Sequence, residues 1–89
     1  MDKTLENCVL LLINSANSKL DGICGSYLKE RLERWNFKFS DDELIEILEM
    51  YLEKDFIEIR NCAVDDLLLN NLYYITKRGL IFFDSLLNS

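Results

Sequence analysis

Apolar residues recur at helical spacing in four segments of this chain. The clearest segment runs from Ser40 to Lys54, where apolar positions three and four apart form one stripe and acidic residues occupy the other side. Ser40 and Glu43 match the S-x-x-E capping box, so we predict that this helix begins just after Ser40. The same spacing predicts three further helices, over Thr4 to Ala16, from Ser26 to about Trp35, and over Lys77 to Leu87.

The apolar stripes of these three helices differ in width. The first helix carries Leu10 and Leu11 beside its main stripe, which predicts burial on more than one side. In the second helix the predicted inward residues are Tyr27, Leu28, Leu32 and Trp35. In the last helix Leu80, Phe83 and Leu87 form one row, which is broadened by Ile81, Phe82 and Leu86.

The period of the pattern changes after Lys54. Phe56 to Arg60 alternates apolar and polar residues, as a half-buried strand does. Leu72 to Ile75 is rich in aromatic and β-branched residues and predicts a partner strand, with Asn61 to Asn71 as the hairpin loop. Ile23 and Cys24, between two turn signals, predict a very short strand. The fold class is therefore α+β and mostly helical.

Length and hydropathy set the organisation of the chain. Its 89 residues predict one domain over residues 1–89, with a single hydrophobic core. No apolar run reaches the roughly 18 residues that a membrane span requires. Val9 to Ile13 lacks the basic leader and the cleavage site of a signal peptide. We expect a cytoplasmic protein with no membrane partner.

The residue types that enzymes and metal sites depend on are scarce. The chain has no histidine, its three cysteines show no C-x-x-C spacing, and its three glycines form no phosphate-binding loop. Paired carboxylates on an amphipathic helix are typical of a solvated face. We therefore expect a non-enzymatic protein with no catalytic residues, metal or cofactor.

Two segments, LEMYLEKDFIEIR from Leu48 to Arg60 and YYITKRGLIFF from Tyr73 to Phe83, resemble the winged helix-turn-helix superfamily, and most of all its small MarR- and PadR-like regulators. Ile75, Thr76 and Gly79 match an I-T-x-x-G pattern that is frequent there. The resemblance implies a winged helix, with a three-helix core, a two-stranded β-hairpin wing and a C-terminal helix. It also implies that Ser40 to Lys54 is the recognition helix, which enters the major groove in DNA-binding members.

The charge of this helix conflicts with that role. Of the chain's net charge of −6, the segment Ser40 to Lys54 carries −5. Carboxylates between two phosphate strands are repelled and must be desolvated. Our first hypothesis is therefore a regulatory interaction module that binds a protein partner through acidic residues of this helix. These residues are Asp42, Glu43, Glu46, Glu49 and Glu53.

The alternative hypothesis is a dimeric winged-helix transcriptional regulator, although the charge disfavours DNA. It would contact DNA through basic residues outside the acidic helix, namely Arg31, Arg34, Lys38 and Arg60. In MarR- and PadR-like proteins terminal helices dimerise, so the resemblance implies a homodimer. Candidate apolar contacts for a dimer or a partner are Leu67, Leu68, Leu69 and Phe82. A small acidic chain of this kind also fits a regulator of a phage or another mobile element.

Overall fold

The computed structural model describes residues 2–17, 22–60 and 71–88. In chain order the elements are α1 (Leu5–Asn17), β1 (Ile23–Cys24), α2 (Gly25–Arg34), α3 (Asp41–Glu53), β2 (Ile57–Ile59), β3 (Leu72–Ile75) and α4 (Lys77–Leu87). The α+β, mostly helical class predicted from the sequence is confirmed. The predicted hairpin loop except Asn71 lies outside the described residues, as do the candidate apolar residues Leu67, Leu68 and Leu69.

The three strands form one antiparallel sheet in the order β1-β3-β2. In the hairpin, Ile57 lies opposite Ile75 and Ile59 opposite Tyr73. The two-residue β1 pairs with the other edge of β3, placing Ile23 opposite Tyr73. The very short strand predicted at Ile23 and Cys24 is therefore confirmed, and it makes β3 the central strand.

The core is built around α1. Val9, Leu10 and Ile13 of this helix are completely buried, which confirms that α1 is covered on more than one side. Leu28 and Leu32 of α2, Leu44 and Leu48 of α3, and Ile57 and Tyr73 of the sheet close on it. Burying each such aliphatic or aromatic side chain contributes about 1.5–3 kcal/mol relative to leaving it exposed. These contacts hold α2 and α3 at fixed positions against the sheet.

Helices α2 and α3 end in the same hydrogen-bonded turn. After α2, Asn36 adopts a left-handed conformation with φ of 66° and the Phe37 amide donates to Leu32 O over 3.2 Å. After α3, Asp55 has φ of 60° and the Phe56 amide donates to Tyr51 O over 2.9 Å. This is the Schellman pattern, with Asn or Asp in the position that glycine usually takes. These turns aim the chain back at the core through Phe37 and Phe56, which both pack against it.

Two details of α2 differ from the sequence prediction. The helix begins at Gly25 with Cys24 as its N-cap, so Ser26 is not the cap. The start is set instead by a contact with the residue before β3, because the Gly25 amide donates to Asn71 O over 3.2 Å. The aromatic residues predicted to point inward are largely exposed, at 49% for Tyr27 and 40% for Trp35. Tyr27 lies at the edge of the Leu28–Leu32 stripe, and Trp35 follows the last helical residue.

Candidate functional site

The inner face of α3 fixes the helix against the core. The Ser40 hydroxyl accepts a hydrogen bond from the Glu43 amide over 3.2 Å, so the predicted capped start is confirmed. Leu44, Leu48 and Tyr51 are buried. The Tyr51 hydroxyl donates to Glu6 O of α1 over 2.8 Å, and burial raises the pKa of that hydroxyl well above its usual value. Helix α3 is therefore held by both apolar packing and a specific polar contact.

The outer face of α3 is acidic and exposed. The predicted acidic residues of this helix all lie on the solvent side, namely Asp42, Glu43, Glu46, Glu49 and Glu53. Within the ranges that the structure describes, no lysine or arginine comes within ion-pairing distance of these five carboxylates. The neighbouring Asp41 is neutralised, since its Oδ1 lies 2.6 Å from Lys29 Nζ of α2. We call the five residues the acidic face of α3.

One residue of the acidic face acts electrostatically on a buried tyrosine of the central strand. Burial is the main cause that raises the pKa of Tyr73 to about 12, and the nearby charge of Glu49 acts in the same direction. Glu49 is itself exposed. The charge of Glu49 therefore acts on a buried residue of the central strand.

The four predicted DNA-contacting cations are in different environments. Arg34 Nη2 lies 2.8 Å from Glu30 Oε1, one turn earlier on α2. Arg60 donates from Nε to Glu58 Oε1 over 2.7 Å, and its guanidinium carbon lies 4.4 Å from the centre of the Tyr74 ring. Arg31 is half-buried on α2, and Lys38 is exposed in the connection between α2 and α3. Two of the four are thus already paired with carboxylates.

The four cations predicted to contact DNA do not include Lys54, which caps the C-terminal end of α3 and is exposed. Lys38 and Lys54 therefore bracket α3, one before its first turn and one after its last. No carboxylate of the described part of the chain lies within ion-pairing distance of either lysine. The signal that would have added Lys54 is positional, because it follows the last turn of the helix as Lys38 precedes the first.

The outer face of α4 is apolar. The exposed fractions are 43% for Leu80, 66% for Ile81 and 52% for Leu87, whereas Phe83 is buried. Leu80, Phe83 and Leu87 form one row in the sequence pattern, but of these three residues only Phe83 is buried. The predicted contact residue Phe82 is half-buried and stacks on Phe56, with the ring centres 4.5 Å apart. The apolar surface that α4 offers to another molecule is therefore formed by Leu80, Ile81 and Leu87.

The described residues provide few groups for covalent or metal chemistry. Cys8 is buried and Cys24 half-buried, no disulfide joins these two described cysteines, and Cys62 lies outside the described ranges. Across residues 2–17, 22–60 and 71–88, no three potential ligand side chains are grouped around a point that could hold a metal ion. Over the same ranges, every helix is too short or too polar to cross a bilayer.

Comparisons with known proteins give one structural relation. No protein-family model and no curated protein matches this sequence. The crystal structure of SSV1 F-93 is similar, with a TM-score of 0.65 and 19% sequence identity over 96% of this chain and 83% of that chain. An identity this low relates the folds alone and does not single out the MarR- or PadR-like groups. Together with the observed order of helices and strands, it shows that this chain has the winged-helix fold.

Proposed function

We propose that this protein is a dimeric winged-helix regulator that binds duplex DNA across α3. The observation that carries the proposal is the position of Lys38 and Lys54 at the two ends of α3, in a fold whose third helix commonly enters the major groove. A helix of 13 residues is about 20 Å long. The major groove is about 12 Å wide, so a helix lying across it would bring both lysines to the phosphates that border it.

The acidic face limits how α3 would sit in the groove. Carboxylates are repelled by phosphates, but a carboxylate can accept a hydrogen bond from the amino group of cytosine. Glu46 and Glu49, in the middle of the helix, are placed for that contact, while the lysines supply the attraction at the ends. Arg60, held over Tyr74 at the end of β2, adds a cation beside the hairpin. Binding through so few cations would be weak and would depend moderately on salt.

Dimerisation would double the number of phosphate contacts, and the outer face of α4 supports it. Lys77, Leu80, Ile81 and Asp84 share one side of this helix and are exposed. In an antiparallel two-fold pairing, Leu80 of one copy would face Ile81 of the other, and Lys77 would face Asp84. A two-fold interface needs such self-complementary positions.

The test is a fluorescence-anisotropy titration of a random-sequence 30-base-pair duplex over a series of salt concentrations. Each neutralised phosphate contributes about −0.9 to the slope of log affinity against log salt. Because a dimer carries each lysine twice, Lys38→Gln and Lys54→Gln should each make the slope shallower by about 2. Replacing both Glu46 and Glu49 by glutamine should raise the affinity, because it removes two repelled charges. Lys3→Gln, which makes the same charge change at the start of α1, is the control and should leave the slope unchanged.

A second candidate function is capture of a basic protein partner by the acidic face of α3. The observation that favours it is the set of five exposed carboxylates with no described cation in pairing distance. The same titration separates the two candidates. If no complex forms at low salt with the wild-type protein or with the Glu46→Gln, Glu49→Gln variant, the DNA proposal is overturned and the protein partner is favoured.

A further inference from the structure

An open cleft of about 700 Å³ lies between the first turns of α1 and the end of α2, and neither proposed function uses it. Its floor is formed by the half-buried Leu11 and Phe37 and by the buried Cys8. Three exposed side chains lie at its mouth, those of Lys3, Arg34 and Trp35. The cleft therefore has an apolar floor, an exposed indole and cations at its rim.

The exposure of the mouth decides what kind of molecule fits the cleft. Pockets for small molecules bury about 70–90% of the ligand surface, so their walls must close around the ligand. Here Trp35 keeps 40% of its surface exposed, and the Arg34 side chain keeps 64%. Walls of this kind cover one side of a bound group and leave the other side open. The cleft is therefore suited to one side chain of a peptide, whose neighbouring residues would lie across the mouth.

The side chains at the mouth are also those that protein interfaces favour. Tryptophan and arginine are enriched among the residues that contribute most to binding energy, and Arg34 and Trp35 are adjacent and exposed. Interfaces have an apolar centre and a polar rim. Leu11 and Phe37, which pack against the core, form such a centre with Trp35. The cleft thus has the composition of a small protein-docking site.

The rim of the cleft is positively charged, although the whole chain has a net charge of −6. Lys3 lies close enough to Cys8 for its charge to act on the thiol. Arg34 uses Nη2 for Glu30, but a guanidinium has five N–H donors, so further donors are available for a partner. Of the described residues that line the cleft, none is acidic. An acidic peptide would therefore be attracted here and repelled by the acidic face of α3.

The local fold explains why the indole stays at the surface. Trp35 caps the C-terminal end of α2, and its amide donates to Arg31 O and Leu32 O. The left-handed Asn36 then turns the chain so that Phe37 returns to the core. Because hydrogen bonds already fix this turn, a partner would pay little to order its backbone.

We propose that this cleft is the docking site for a short acidic segment of a partner protein, in which a large apolar side chain is flanked by aspartate or glutamate. The apolar side chain would lie against Trp35 and Phe37. The carboxylates would contact Lys3 and Arg34, the latter through two parallel hydrogen bonds. The proposal does not depend on DNA binding or on dimerisation. Its partner is opposite in charge to the basic partner considered for the acidic face of α3.

The experiment measures the binding of a blocked, fluorophore-labelled hexapeptide, Asp-Asp-Leu-Phe-Asp-Asp, to the 89-residue protein by fluorescence anisotropy. One control peptide has asparagine in place of every aspartate, and the other has two serines in place of the Leu-Phe pair. We expect saturable binding of the first peptide and at least about tenfold weaker binding of each control. Absence of saturable binding, or equal affinity for either control, would overturn the proposal.

Variants assign the binding to the cleft. Trp35→Ala should weaken it at least about 20-fold, as at an interface hot spot. Lys3→Gln and Arg34→Gln should each weaken it about five- to tenfold, whereas Lys54→Gln makes the same charge change outside the cleft and should leave the affinity unchanged. If Lys54→Gln weakens binding as much as the other two charge variants, the peptide responds to net charge alone and the assignment is wrong. Far-ultraviolet circular dichroism checks that each variant is folded.

Two further measurements distinguish other occupants of the cleft. Acetylphenylalanine should displace the labelled peptide far less effectively than the unlabelled peptide does, and equal competition would show that the site takes a small molecule instead. In sedimentation equilibrium without peptide, Trp35→Ala should leave self-association unchanged. Loss of self-association in this variant would show that a second copy covers the cleft, and would also overturn the proposal.

Discussion

Helices α3 and α4 begin alike and present opposite outer surfaces. Each starts after a residue whose hydroxyl accepts from the backbone amide three positions later, Ser40 in α3 and Thr76 in α4. Each buries one face against the core. Outside, α3 exposes its acidic face, whereas α4 exposes Leu80, Ile81 and Leu87. Two helices with the same kind of cap and one buried face each can thus differ in their outer surfaces. One surface suits a charged partner, and the other suits an apolar partner.

The two helices also differ in how closely their first turns approach the rest of the molecule. The third residue after the cap is the exposed Glu43 in α3 and the buried Gly79 in α4. A Cβ atom at position 79 would overlap Phe56 O and lie 2.8 Å from Ile75 Cγ1. The start of α4 therefore packs directly on backbone, and the start of α3 faces solvent. This difference explains why the I-T-x-x-G pattern ends in glycine here.

The largest effect is expected for Gly79→Ala. The new methyl group must push α4 away from Phe56, and we expect the free energy of unfolding to fall by about 2–3 kcal/mol despite alanine's better helix propensity. Urea denaturation followed by circular dichroism measures the change. Glu43→Ala, at the matching position of α3, is the control and should change the stability by less than about 0.5 kcal/mol. A Gly79→Ala protein as stable as the wild type would show that α4 is not held against Phe56.

The next effect concerns the apolar surface of α4. Replacing Ile81 by glutamate places a charge where the two copies of α4 would meet, so we expect the dimer dissociation constant to rise at least about 100-fold, or about 2.7 kcal/mol. Sedimentation equilibrium measures the dissociation constant. Glu46→Ala, on the outer face of α3, should leave the oligomeric state unchanged.

Charge exchange sharpens the same comparison. Lys77→Asp alone or Asp84→Lys alone should weaken the dimer, because each places like charges opposite each other. The double variant that combines the two substitutions should restore the dimer. A wild-type protein that is monomeric at all accessible concentrations would contradict the role given to α4, whereas failure of the exchange alone would contradict the antiparallel register.

The smallest effect distinguishes the two capping hydroxyls. Thr76 Oγ1 accepts from the Gly79 amide over 2.9 Å and also donates to Asp55 O over 2.6 Å, so it joins α4 to the turn that ends α3. Among the described residues, the Ser40 hydroxyl bonds only within its own helix, where it accepts from the Glu43 amide. We expect Thr76→Ala to cost about 2 kcal/mol and Ser40→Ala about 1 kcal/mol in urea denaturation. Thr76→Ser should recover most of the loss, and equal costs for the two alanine variants would argue against the link to Asp55.

Much of the fold could be predicted from short-range patterns. The caps at Ser40 and Thr76, the change of period after Lys54 and the short strand at Ile23 are all recorded in residues close in sequence. The pattern did not predict burial correctly where the apolar stripe of a helix was wider than the core surface that could cover it. Leu80 and Leu87 fit the same row as Phe83, but only Phe83 reaches the core, because Gly79 brings a different side of α4 against Phe56.

The candidate sites also include features that residue spacing predicts and features that depend on contacts between distant segments. The acidic residues of α3 could be assigned to an outer face because their spacing places them opposite the buried stripe. The cleft at Trp35 could not be predicted, since it needs the start of α1 and the end of α2 to be neighbours. The pairing of Arg34 with Glu30 lies at helical spacing, but the stacking of Arg60 on Tyr74 depends on the strand register.

The sequence by itself determined the kinds of elements, their order, the N-terminal caps of α3 and α4 and the acidic character of α3, because each depends on residues within about one helical turn or on strand alternation. Only the tertiary structure decided that β3 is the central strand, that α4 exposes leucine and isoleucine, and that Trp35 stands beside Lys3. The physical reason is that burial is shared among distant segments. A residue's apolar character favours burial, but whether the residue is buried depends on which distant segments of the chain pack against it.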